Sequence, residues 1–243
     1  MVENINKIDV LAIGIHPDDI ELACSGTILK HIDAGYKVGL LDLSRGELGT
    51  RGNAIIRTQE AMLSAKLMNA SFRHQLNLKD GFFENNEDSI IEIIKIIRAS
   101  KPRIILANAI EDRHPDHARA SKLIQDACFY SGLIKIQTSF GGIEQSAWRP
   151  QSIYHYIQDY HLKPELIVDI SKFMEKKMEL ILSFSSQFFN PNSTEPESPI
   201  SSKNFLEVVK AQARIYGRLI QVDYAEGFNI TRPVGVEDLF TLL

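Results

Sequence analysis

The sequence predicts a single α/β domain built on a doubly wound, mostly parallel sheet with helices on both faces. Three observations carry that expectation. Apolar runs alternate with amphipathic ones through the first two-thirds of the chain, the signature of repeated strand–helix units. At 243 residues, 44% of them hydrophobic and 24% charged, the chain can fill one large α/β core or two small ones. No linker-like stretch divides it, which favours one domain over residues 1–243, with 132–165 and 187–202 as flap or loop insertions.

The elements follow in order. Strands are expected near 8–15, 37–43, 72–78 and 103–108, and helices near 20–34, 53–69, 87–100 and 115–131. Gly35 is a helix stop, Asp88-Ser89 an N-cap for the helix rich in Ile93, Ile94, Ile96 and Ile97, and Pro102 the end of that helix. Residues 132–150, with Gly132, Gly141, Gly142 and Pro150, read as a loop or flap. Ser152 to Gln158 alternates like a strand, and Leu166-Ile167-Val168 is a second short one. Helices follow near 171–186 and 203–221, separated by a polar loop from Asn190 to Pro199.

Composition excludes several functions. A net charge of −4 gives no footprint for nucleic acid or an acidic membrane surface. No apolar stretch reaches membrane-spanning length, and Met1 to Lys7 lacks the regions of a signal peptide, so a cytoplasmic protein is expected. Cys24 and Cys128 read as small buried residues rather than a pair.

Two short runs carry the chemistry. His16-Pro17-Asp18-Asp19 follows the apolar run ending at Ile15, and His114-Pro115-Asp116-His117 follows Ile104-Ile105-Leu106-Ala107. In a doubly wound sheet, ligands bind outside the carboxyl ends of the strands, so turns about a hundred residues apart can meet there. Capping a helix uses the aspartates but has no need of the histidines. A catalytic zinc site takes three His, Asp or Glu ligands and keeps one position open. Six side chains are available: His16, Asp18, Asp19, His114, Asp116 and His117. The economical allocation makes His16, Asp19 and His117 the ligands, and leaves Asp18 as general base. His114 then stabilises the oxyanion and protonates the leaving nitrogen, with Asp116 orienting His114 or a ligand histidine. Zinc would lower the pKa of its water to about 7, and ferrous iron or another divalent metal suits the same donors.

With these residues in view, the chain resembles the PIG-L/LmbE-type zinc N-deacetylases. The resemblance rests on Gly14-Ile15-His16-Pro17-Asp18-Asp19-Ile20-Glu21 with Gly26-Thr27, and on His114 to His117. Arg57-Thr58-Gln59-Glu60-Ala61 resembles the family's Arg/Glu helix. Later markers are Glu111-Asp112-Arg113, Lys163-Pro164, Val168-Asp169-Ile170, Ser186-Gln187-Phe188 and Tyr224-Ala225-Glu226-Gly227-Phe228. They look most like the bacillithiol-biosynthesis branch, which deacetylates N-acetylglucosaminyl-L-malate. The resemblance implies a Rossmann-like fold and hydrolysis of the N-acetyl group of a GlcNAc glycoside. It implies the same ligand set and base, with Asp116 modulating His114. It also implies a small-molecule substrate of the GlcNAc-malate type and a homo-oligomer, a hexamer in that branch.

Substrate contacts are expected from Arg57, which matches a family position, and from Asp80 and Glu47 in loops after predicted strands. Arg51 and Arg113 lie near the site in sequence, and either could select an anionic aglycone. Tyr154, His155 and Tyr156 alternate along a strand, which makes His155 structural. Two rivals belong to other classes. An inactive sugar- or metal-binding module would be expected to lack Asp18 or His114, and both are present. A nucleotide-binding protein needs Gly-x-Gly-x-x-Gly after the first strand, where this chain has one glycine and two carboxylates. Within enzymes, the alternative is a deacetylase or amidase of another GlcNAc conjugate, including bacillithiol S-conjugates.

Overall fold

In the computed structural model, which describes residues 5–241, the repeated units take the expected order. The first half comprises β1 (Val10–Gly14), α1 (Asp19–Asp33), β2 (Val38–Asp42), α2 (Ala54–Met68), β3 (Phe72–Gln75), α3 (Glu87–Ser100), β4 (Ile104–Ala107) and α4 (Pro115–Tyr130). A small hairpin, β5 (Ser139–Phe140) and β6 (Ile143–Glu144), lies in the expected flap. There follow β7 (Ser152–Tyr156), β8 (Leu166–Asp169), a 3₁₀ turn at Ser171–Phe173, α5 (Met174–Leu182), α6 (Lys203–Leu219) and β9 (Ala225–Ile230).

The main sheet runs β3-β2-β1-β4-β7-β9-β8. Its first five strands are parallel, and β9 lies antiparallel between β7 and β8. Strand order therefore reverses between β1 and β4, which pair directly with Val10 opposite Ile104 and Ala12 opposite Leu106. The loops leaving these two neighbours open the crevice in which doubly wound folds bind ligands. Both His-Pro-Asp runs begin in those loops and continue into the helices that follow.

Alternation of side chains along the central strands feeds two cores. Leu11, Ile13, Leu41 and Ile105 pack toward Ile93, Ile97, Leu123 and Ile124 of α3 and α4. Val10, Ala12, Leu40 and Leu106 pack with Ile20, Cys24 and Ile28 of α1 and Met68 of α2. Truncating one of the large, fully buried residues among them to Ala would cost about 2–5 kcal/mol. Arg73 on β3, fully buried, ties the layers together: it bonds Asp42 of β2 at 2.7 and 2.8 Å and Glu21 of α1 at 2.6 Å. Cys24 and Cys128 are buried free thiols, and His155 is buried against Ser121 and the Asn108 carbonyl. No helix among the described residues is long and apolar enough to cross a membrane.

Three expectations need correction. The cap of α3 is Asn86, whose side chain accepts the Ser89 N–H at 3.0 Å; Asp88 and Ser89 lie inside the first turn. The helix expected over 171–186 stops at Leu182, and 184–188 turns back so that Phe184 and Phe188 enter the core. The insertion drawn over 132–165 contains β7, an inner strand of the sheet. A strand to which the sequence reading assigned no element is Ala225–Ile230, which is buried and which the Glu226-Gly227 pair concealed from a propensity reading.

Candidate metal centre and active site

The two similar runs enter their helices differently. In the first, α1 starts only at Asp19, and Asp18 is its N-cap residue with φ 115°, making no side-chain cap bond. Such a backbone is strained for a residue with a Cβ, and it turns the Asp18 carboxylate away from the helix N–H groups. In the second, the helix starts at Pro115, and His114 is the N-cap. Its Nδ1 accepts the Asp116 N–H at 3.3 Å, so the neutral ring carries its proton on Nε2.

Asp19 sits at the centre. His117 Nε2 lies 3.1 Å from Asp19 Oδ1, and His16 Nδ1 lies 3.8 Å from Oδ2. Asn108 and the His16 N–H donate to Oδ2 at 2.9 and 3.0 Å, and Gln158 donates to Oδ1 at 3.1 Å. The far nitrogen of each ring is held by carboxylates. His16 Nε2 lies 3.1 Å from Asp80 and 3.3 Å from Asp116, while His117 Nδ1 bonds Asp112. A carboxylate behind each imidazole fixes the tautomer and leaves the opposite lone pair for a metal. His16 Nδ1 and His117 Nε2 therefore both face the Asp19 carboxylate, and these residue types suit a divalent cation.

The groupings among the described residues whose donor atoms lie close enough together to hold an ion are His16 with His114 and His117, and His16 with Asp80 and Asp116; the trio of His16, Asp19 and His117 is not among them. The capping bond of His114 uses its Nδ1 and leaves Nε2 as a donor, which argues against a ligand role. Asp80 and Asp116 already accept from His16 Nε2, as outer carboxylates do.

The same contacts set the charge preferences of these groups. Burial opposes charge on His16, but its bonds to Asp116, Asp19 and Asp80 outweigh it and raise the ring well above its usual value. Burial likewise opposes charge on His117, yet the Asp19 charge and the Asp112 bond raise it to about 9. For Asp19, burial is outweighed by His117 and His16, and the carboxyl is held well below its ordinary value. The crevice thus favours positive charge at the two rings, and a divalent cation can carry it, releasing their protons. Burial pushes Asp18 up to about 7, against the opposing charge of Arg57. Burial, and then the charges of His16 and His117, lower His114.

A cavity of about 410 Å³ opens over this cluster, within the range of small-ligand sites. His16, Asp18, Asp19, His114 and His117 all line it. Of the expected substrate contacts, Arg57 and Asp80 line it as well. Arg57 is buried and bonds Asp18 at 3.1 Å, the Pro17 carbonyl at 2.7 Å and the Gly46 carbonyl at 3.0 Å. Asp80 bonds His16 and accepts the Leu48 N–H. Glu47 does not line the cavity; it accepts the Asp80 N–H at 2.9 Å. Asp116 puts its carboxylate on His16 and Arg119, and meets His114 only through its own N–H. Arg51 is buried, tied to Ser186, Ser193 and Pro196, and Arg113 pairs with Asp159 at the surface.

Sequence reasoning gave no role to Asp112, Asn108 or Gln158. Asp112 stood inside the Glu111-Asp112-Arg113 marker, five residues before the histidine it supports. Asn108 directly follows β4, but nothing in the sequence distinguishes Gln158.

Fold and site together describe an α/β protein with a cluster of His and Asp side chains in the crevice at its strand-order reversal. The family model described as GlcNAc-PI de-N-acetylase, PIG-L, matches residues 11–128. A diacetylchitobiose deacetylase from Thermococcus kodakarensis is 30% identical over 90% of this chain and 82% of its own length. A conserved protein of Thermus thermophilus superposes with a TM-score of 0.83 at 31% identity, covering 96% of this chain and 98% of that one. An N,N'-diacetylchitobiose deacetylase from Pyrococcus horikoshii, complexed with its inhibitor, gives a TM-score of 0.76 at 28% identity over 92% and 83% of the two chains. The chain belongs to the PIG-L family.

Proposed function

We propose that this protein is a metal-dependent hydrolase that removes the N-acetyl group of a GlcNAc glycoside, with N-acetyl-α-D-glucosaminyl L-malate as its substrate. The observation that carries the reading is the separation of roles around one cavity. His16 and His117 each turn a ring nitrogen to the Asp19 carboxylate, while Asp18 and His114 line the same space with different protonation preferences. The deacetylases among its relatives support the reaction class.

A divalent metal, when bound, supplies a Lewis acid for the amide carbonyl and for the attacking water. Asp18 accepts the proton of that water. Its carboxyl, raised by burial to about 7, is matched to the task near neutral pH, and the Arg57 bond fixes its direction. His114 donates from Nε2 to the oxygen that gains charge. Because its ring is held below the ordinary pKa, the proton returned to the leaving nitrogen is the one Asp18 collected. The products are acetate and the free amine.

Malate calls for a cation. Arg51 and Arg57 are committed to protein partners, whereas Arg113 is half exposed at the cavity mouth and can exchange Asp159 for a substrate carboxylate. The test is acetate release from N-acetylglucosaminyl-L-malate beside free N-acetylglucosamine, using metal-loaded protein. Strong preference for the conjugate is expected. Equal slow release would reject malate and leave another GlcNAc conjugate, and no release from either would favour an inactive binding module.

A further inference from the structure

Two sequence markers without a part in this chemistry, Val168-Asp169-Ile170 and Tyr224 to Phe228, converge on the middle of α1. Glu226 of β9 is buried, and its two oxygens accept the N–H groups of Gly26 at 2.9 Å and Thr27 at 2.7 Å. Lys177 of α5, also buried, pairs with Glu226 at 2.6 Å and donates to the Leu22 carbonyl at 2.6 Å. In an α-helix the Gly26 N–H points to the Leu22 carbonyl, four residues back. Here the two ends of that rung hold side chains of opposite charge. A carboxylate on helix N–H groups and an ammonium on a carbonyl are the arrangements that stabilise helix ends, placed here inside a helix. Gly26 itself has no room for a side chain, since a Cβ would lie 2.7 Å from Ile170 Cδ1.

The location joins this clamp to the metal centre. Leu22 is three residues after Asp19, and Leu22, Ala23, Lys177 and Glu226 line the cavity that holds His16 and His117. A buried ion pair is a poor way to gain stability alone, because desolvating both charges offsets their attraction. We propose that Lys177 and Glu226 are positioning residues: by clamping α1 one and two turns after Asp19, they set the direction of its first turn and hold the Asp19 carboxylate between His16 and His117. They touch no reacting atom. The proposal rests on His16, Asp19 and His117 being the ligands.

The test is zinc affinity, measured by competition with a chelator. It compares wild type with Lys177→Arg, Glu226→Ala and the double variant Glu226→Ala/Lys177→Met, at a temperature where circular dichroism shows each folded. The double variant leaves no buried unpaired ammonium, so it stands in if Glu226→Ala fails to fold. Zinc binding about 10- to 100-fold weaker in the double variant is expected, as for other supports of metal ligands. Lys177→Arg, which keeps the cation, should bind close to wild type. Unchanged affinity in the double variant, with only a lower Tm, would make the pair structural and overturn the proposal. A wild-type chain that binds no zinc would overturn the ligand set too, so the two failures are distinguishable.

Discussion

The turns after β1 and β4 carry nearly the same residues, and the chain puts them to opposite uses. After β1 the helix begins at the last residue of the run, and Asp18 stands outside it at φ 115° with its carboxylate free of the cap. After β4 the helix begins at the second residue, and His114 spends Nδ1 on the cap. This shift of the helix start changes which side chains are spent on the cap and which are left to face the cavity. Similar motifs are therefore not equivalent sites: in the proposed mechanism the first gives two ligands and the base, the second one ligand and a donor.

The largest effect that could break this comparison is loss of the base. Asp18→Ala should lower kcat by about 10²–10⁴-fold while keeping one metal per chain. Loss of metal instead would place Asp18 among the ligands. The pH profile sharpens the same point. Burial raises the Asp18 carboxyl to about 7, so the proton-accepting form is lost as pH falls, and a nearby cation can only lower the midpoint. A plot of kcat/KM should rise with pH to a plateau, with its acid-limb midpoint at or below about 7. A rate that falls over this limb would contradict the assignment.

Next comes the second turn. His114→Ala should reduce kcat by about 10²–10³-fold, the usual cost of an oxyanion donor, with metal affinity retained. Asp112→Ala should leave the chemistry in place but weaken metal binding by about 10–100-fold, read by chelator competition. The smallest effect concerns the strained backbone. Asp18→Gly relieves a positive φ and removes a buried carboxyl, so it should lower kcat as Asp18→Ala does yet raise Tm, by the equivalent of about 1 kcal/mol. A lower Tm would show that the Arg57 bond outweighs that strain.

Legibility in the sequence followed the same divide between regions. The parallel half could be read because β1, β2 and β4 are short, mostly apolar runs and its helices carry stops such as Gly35 and Pro102. Strand ends in a doubly wound sheet also point to where the two runs meet. The last third resisted because β9 is antiparallel, contains Glu226 and Gly227, and is buried through partners that lie distant in sequence. The same limit applied to the site. Ligand residue types and spacing identified the His/Asp cluster, but the commitment of Arg57 to Asp18 and of Asp116 to His16 depends on packing that no spacing encodes. Glu47 was placed at the correct loop cluster, but its neighbour Leu48 lines the cavity while Glu47 braces the Asp80 backbone.

The most direct test of the account is metal content per chain of His117→Ala beside His114→Ala, after zinc loading and desalting. If the two turns divide the work as described, His114→Ala retains one zinc and His117→Ala loses it. Retention by His117→Ala with loss by His114→Ala would reverse the roles of the second turn and contradict the ligand set.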